Sequence, residues 1–282
     1  MPPLQQQMPL HDDSIQALRS VPVVFIPGII TPAAITFGPL VEVLGPQIRP
    51  VLVDYVLYAA DMPPTNYHLN LELKNIERTA KNAALDGFHL VGYSSGGIIA
   101  LAFAARCPER VLSLALCEPG WVWNEKCSDE EVAWRDGWLE IARLPTDQRI
   151  PLFIRLVLGE GVTPPKPASP PPSWMAKRPA GLGMVSAFLD YPFDWGRLSG
   201  FQKPVYVAYG SLSKPVWERM AGFLVRRLAN CSAEMYEGRH HLDAPHFSEP
   251  QRFSRAIQSL LTHATQPGAP ADGSRPAGSD CR

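Results

Sequence analysis

Ser94 lies between two glycines in Gly92-Tyr93-Ser94-Ser95-Gly96, and a serine so placed can act as a nucleophile if a base lies within hydrogen-bond reach. The segment closes a short apolar run, Phe88-His89-Leu90-Val91, and opens a small and apolar stretch from Gly97 to Ala105 with no breaker before Pro108. The expected geometry is a tight strand-to-helix turn, in which side chains two before and two after the serine would collide with neighbouring backbone. The Ser94 hydroxyl then stands near a helix N-terminus. A serine hydroxyl is a poor nucleophile at neutral pH, so it needs an imidazole and a group to hold that imidazole. Three histidines, His240, His241 and His246, follow the last predicted strand, whereas His11, His68, His89 and His263 fall outside that region. Glu118 follows the apolar run Leu112-Ser113-Leu114-Ala115-Leu116-Cys117, at the carboxyl end of a strand, where active sites of open α/β sheets lie. Asp190, Asp194 and Asp243 are further candidate acids.

The elements that must position these groups read as strand and helix in alternation. Strands are expected at 21–26, 49–54, 88–93, 111–117, 204–209 and 232–237, with helices near 69–85, 95–106, 214–229 and 249–263. Such alternation requires a mainly parallel sheet covered by helices on both faces. From Pro119 to about Leu198 the alternation stops. Trp134, Trp138, Ile141, Phe153 and Leu156 recur there at helical spacing, so 119–198 reads as a helical cap inserted into a core made of 21–118 and 199–263. Residues 163–172 are too proline-rich for a helix or central strand and read as a cap linker. Residues 1–20 form an N-terminal segment, and the tail 264–282, rich in Pro, Gly, Ala and Ser, reads as disordered.

From about Val21 to about Leu261 this order and spacing resemble the alpha/beta-hydrolase superfamily. Val23-Val24-Phe25-Ile26-Pro27-Gly28 is similar to that family's strand ending in a His-Gly turn, with Pro27 in place of the histidine. Val51-Leu52-Val53-Asp54 resembles the strand whose terminal Asp opens a D-x-R-G loop, a consensus from which Tyr55-Val56-Leu57-Tyr58 departs. Tyr67-His68-Leu69-Asn70-Leu71-Glu72 matches the family's usual approach to the helix before the serine turn. The resemblance implies a histidine base within Glu237-Gly238-Arg239-His240-His241-Leu242. The family pattern Gly-x-Gly-His fits His241 best, with His240 as the alternative base and His246 as a structural or supporting histidine. It also implies an oxyanion hole made by the N–H of Ser95 and that of Ile29, or of Ile30. The usual acid of a Gly-x-x-Asp turn is missing, because Gly210-Ser211-Leu212-Ser213 puts a serine at its position. Serine supplies no charge to an imidazolium, so Glu118 is the expected acid, at the place used by some branches including haloalkane dehalogenases. Ser213 is then expected to matter little.

Composition narrows the remaining possibilities. With 282 residues, 46% of them apolar, the chain can bury a full core as one α/β unit with an insertion. A net charge of -1 without a basic cluster argues against nucleic-acid or anionic-membrane surfaces. The N-terminus lacks the features of a signal peptide and no apolar run is long enough to span a bilayer, so a cytoplasmic location is expected. Five cysteines without CxxC or zinc spacing read as reduced thiols. No metal-ligand spacing or dinucleotide fingerprint occurs, and no cofactor is expected. A serine cannot replace the carboxylate nucleophile of epoxide hydrolases and haloalkane dehalogenases, so acyl transfer is the indicated chemistry. Trp121, Trp123, Trp134, Trp138, Trp174 and Trp195 suggest an apolar pocket for an ester, lactone or thioester of a small molecule, or else pack the cap onto the domain; Ile29, Ile30, Ile35 and Phe37 read equally as a wall of that pocket or as core. The expected function is a serine hydrolase of carboxylesterase type. The alternative is a weak or inactive homologue that binds small molecules, because fold alone does not settle function. Oligomeric state is not legible.

Overall fold

The computed structural model describes residues 20–120, 128–163 and 170–264. Six strands, β1 Val21–Ile26, β2 Ile48–Leu52, β3 Phe88–Tyr93, β4 Val111–Cys117, β5 Val205–Gly210 and β6 Cys231–Tyr236, form one sheet. Their order is β2-β1-β3-β4-β5-β6 and every adjacent pair is parallel. The chain leaves β1 in one direction for β2 and returns on the other side for β3. The crevice at the carboxyl ends of β1 and β3 is therefore the switch point where ligands of such sheets bind.

Strand β3 is buried at all six positions, as expected of a central parallel strand. Its side chains alternate between two cores. Leu90 faces the core shared with helices Leu69–Asn82, Ser95–Arg106 and Pro215–Arg227, while Val91 and Tyr93 face the one shared with Ala33–Leu44 and Pro250–Ala264.

Helix Ala33–Leu44 was not expected from the sequence, where Gly38 and Pro39 interrupt the pattern. Those residues cost about 4 kcal/mol of helix propensity together. Burying Phe37, Leu40 and Leu44, at roughly 1.5–3 kcal/mol each, outweighs that cost. Phe37 accordingly packs on Phe25 and His246, with ring centroids 5.2 and 5.1 Å away, and belongs to the far core rather than to a pocket wall.

Between β4 and β5 the described residues hold helices Asp129–Arg143, Thr146–Val157, Pro172–Leu182, Ser186–Leu189 and Trp195–Ser199. The first begins with a capping box formed by Ser128 and Glu131. Trp134 meets Trp138 and Trp217 edge-on, and Arg219 binds Glu130 and Glu131, which ties this helix to Pro215–Arg227. Trp121, Trp123, most of the proline-rich stretch and the segments 1–19 and 265–282 lie outside the described residues. Cys117 and Cys231 are free, but Cys107 is disulfide-bonded, which corrects the expectation of reduced thiols throughout. Pairing depends on which cysteines the fold brings within reach, and spacing does not report that.

Two histidines away from Ser94 make acid stability predictable. His89 bonds Ser113 at 2.7 Å and His246 lies among Phe37, Tyr93 and Phe253. Burial lowers their pKa values to about 4 and about 3. Both folded values lie below the unfolded value, so the unfolded chain takes up protons first and stability is lost as pH falls from about 6.5. Glu72, raised by burial, opposes this only where it begins to protonate. At pH 5.5 each ring should cost about 1 kcal/mol. The urea midpoint should fall between pH 7.5 and 5.5, and a flat profile would mean that these rings protonate without penalty.

Candidate active site

The strand-to-helix turn after β3 forces Ser94 to φ 54° and ψ -123°, a conformation that costs a non-glycine residue about 1–3 kcal/mol. Backbone bonds hold it there. Ser94 N–H donates to Cys117 O at 3.0 Å, and Ser94 O accepts from Gly97 and Gly120 at 2.9 and 3.0 Å. A Cβ on Gly96 would overlap the carbonyls of Ile26 and Pro27, so only glycine lets the new helix approach the end of β1 this closely.

Glu118 also has a positive φ, 43°, directly after β4, and its N–H donates to Ala208 O at 2.8 Å. Its fully buried carboxylate is surrounded by donors. Oε1 accepts from the Gly210 N–H at 2.8 Å and from the Ser213 hydroxyl, while Oε2 lies 2.7 Å from His241 Nδ1. Such satisfaction is what a buried carboxylate requires. The hydroxyl at the usual acid site thus bonds the carboxylate that comes from β4, a contact the sequence did not indicate.

His241 reaches the same place from the loop after β6. Gly210 lets that loop cross the end of β5, since a Cβ there would strike the Arg239 backbone, and Leu212 N–H bonds Arg239 O at 2.9 Å. The Tyr93 hydroxyl donates to the His241 carbonyl. His241 Nε2 lies 3.0 Å from Ser94 Oγ. Because a carboxylate only accepts, Nδ1 carries the proton and the Nε2 lone pair faces the serine. Trp217 stacks on the imidazole with centroids 4.1 Å apart and planes at 22°. Sequence reasoning missed Trp217, which carries no motif.

The other candidates do not join this relay. His240 is buried, its Nδ1 has no partner among the described residues, and burial lowers its pKa. Asp190 pairs with Arg135, Asp194 caps helix Trp195–Ser199, and Asp243 binds Arg239 and Ser248. Ser94, Ser95 and Ile29 line one cleft, whose apolar walls include Ile98, Trp134, Trp138, Phe188 and Trp217. Neither Ile29 nor Ser95 gives its N–H to an acceptor among the described residues. Trp174 instead packs on Tyr58, and Trp195 on Phe193 and Phe223.

A parallel six-stranded sheet with a serine at a strained turn after its central strand, bonded to a histidine and through it to a carboxylate, defines an α/β protein of the hydrolase class. Residues 23–256 match the alpha/beta hydrolase family, and the chain belongs to that family. Among solved structures it is similar to carboxylesterase CesB of Bacillus subtilis, at 17% identity, 86% of this chain, 84% of that chain and TM-score 0.62. It is likewise similar to a thermophilic esterase from Thermogutta terrifontis, at 19% identity, 88% and 91% coverage and TM-score 0.64. A structure from work on carboxylesterases of Nitrososphaera gargenis matches at 16% identity, 88% and 92% coverage and TM-score 0.66. These likenesses establish the fold. No curated protein matches the sequence. Among the described residues no helix is long and apolar enough to cross a membrane.

Proposed function

We propose that the protein is a serine hydrolase that cleaves an ester, lactone or thioester of a largely apolar small molecule through an acyl-enzyme on Ser94. The observation that carries this reading is the continuous relay from Ser94 Oγ through His241 to Glu118, at 3.0 and 2.7 Å. His241 Nε2 takes the serine proton as Oγ attacks the acyl carbon, and the carbonyl electron pair moves onto oxygen. Ile29 and Ser95 N–H groups receive that oxyanion, a contribution for which one donor typically counts about 100- to 1,000-fold. Glu118 stabilises the imidazolium, which then protonates the leaving alcohol or thiol. Water, activated by the same imidazole, releases the acid and restores Ser94. No cofactor takes part. Helices of the 119–198 insertion serve as a cap, and its apolar walls Trp134, Trp138 and Phe188 favour an apolar acyl or alkyl group.

A fluorophosphonate probe tests for an activated serine. It should label the wild type and leave Ser94→Ala unlabelled; an unlabelled, folded wild type would instead favour a small-molecule binding module. A panel of nitrophenyl esters of increasing chain length then reports the preferred acyl group.

A further inference from the structure

Where the sequence leaves the family's consensus, at Pro27 and at Tyr55-Val56-Leu57-Tyr58, the structure joins the two departures. The Tyr55 hydroxyl donates to Pro27 O at 2.9 Å and lies 2.8 Å from Ser95 Oγ. A phenol has one proton, and a carbonyl cannot donate. Ser95 must therefore donate to Tyr55, which donates to Pro27. The Tyr58 hydroxyl donates to Ile29 O at 2.5 Å, and Trp174 Nε1 to Ile30 O at 3.3 Å. Three carbonyls of the loop after β1 are thus held by side-chain donors, and the same chain of bonds reaches the residue after the nucleophile. Burial raises the pKa of both tyrosines, so the phenols stay protonated and remain donors.

The tyrosine segment is itself fixed. The buried Glu72 carboxylate accepts from Val56 N–H at 3.0 Å, Leu57 N–H at 3.3 Å and the Tyr67 hydroxyl at 2.9 Å. Beyond the loop, Asp54 Oδ1 accepts from Ala33 N–H at 2.7 Å, so both ends of the segment between β1 and helix Ala33–Leu44 are anchored to the β2 connection.

We infer that Tyr55 and Tyr58 are positioning residues that hold the two oxyanion donors, Ile29 N–H and Ser95 N–H, at a fixed separation. This rests on the acyl-transfer reading of Ser94. Proline has no side-chain donor with which to brace its own loop, and the tyrosines supply that bracing from the neighbouring connection. Because they act through backbone donors aimed at charge that develops only in the transition state, their removal weakens kcat and not substrate binding.

The test is Tyr55→Phe, which keeps the ring in its edge contacts with Tyr58 and Phe188 and deletes only the hydroxyl. With a nitrophenyl ester, kcat should fall about 10- to 100-fold with KM within about twofold. Affinity for a trifluoromethyl ketone, whose adduct with serine carries an oxyanion, should fall by a similar factor. The pH midpoint of kcat/KM should stay where it is, because His241 and Glu118 are untouched. Unchanged kcat and unchanged ketone affinity in the folded variant would overturn the proposal, as would a loss confined to KM. If Tyr55→Phe does not fold, Tyr58→Phe and Ser95→Ala carry the same measurements and are read the same way. Ser94→Ala separates the two levels of argument: activity that survives it removes the acyl-transfer reading and this proposal with it, whereas activity lost with Ser94 but kept in the tyrosine variants removes only the latter.

Discussion

Ser94→Ala should reduce turnover of activated esters by roughly a million-fold, to near background, while the fold is retained. The hydroxyl contributes little packing, and among the described residues its side-chain bond is to His241 Nε2. His241→Ala should be nearly as damaging, since without its base the serine keeps its proton. The double variant should be little worse than either single one, because two groups that carry one proton transfer lose the same step. Steady-state kinetics on the three variants decides this. Activity that survives Ser94→Ala would point to another nucleophile, and multiplicative losses would mean that serine and histidine act separately.

Glu118→Gln should lower kcat by about 1,000- to 10,000-fold with a modest change in KM. The amide has nearly the shape of the carboxylate, so the loss reports charge and tautomer rather than packing. Gln offers no negative charge to the imidazolium, and if its NH₂ group faces Nδ1 it favours the unproductive tautomer. Ser213→Ala should be milder, about tenfold. It removes one donor from Glu118 Oε1 but leaves the Gly210 N–H and His241 on the carboxylate. A hydrogen bond to a charged group is worth about 1.5–3 kcal/mol, an upper bound on what that hydroxyl can supply. A Glu118→Gln variant with full activity would show that the carboxylate has no part in the reaction. A larger loss in Ser213→Ala than in Glu118→Gln would assign the supporting role to the Gly210–Ser213 turn.

The order of strands and helices around Ser94 and the nature of the turn that carries it were legible in the amino-acid pattern. Both are local: apolar runs and helical spacing write the elements, and backbone collisions at Gly92 and Gly96 dictate the glycines. The elements that escaped, above all helix Ala33–Leu44, are those in which burial outweighs unfavourable local residues. The resemblance pointed to His241 and Glu118 as partners of the serine, but their meeting, and the arrival of Ser213 beside them, depends on contacts between distant segments. His241 lies 147 residues from Ser94, Glu118 lies 123 from His241, and Ser213 lies 95 from Glu118. The family pattern favoured His241 over its neighbour His240, and the crossing of that loop over Gly210 turns His241 toward Ser94, while His240 Nδ1 has no partner among the described residues. Ser213 looked like the loss of an acid because its type was legible and its partner was not. The same holds for Tyr55 and Trp217, whose roles depend on contacts between chain segments, and such contacts exist only after the sheet has brought the carboxyl ends of its strands together.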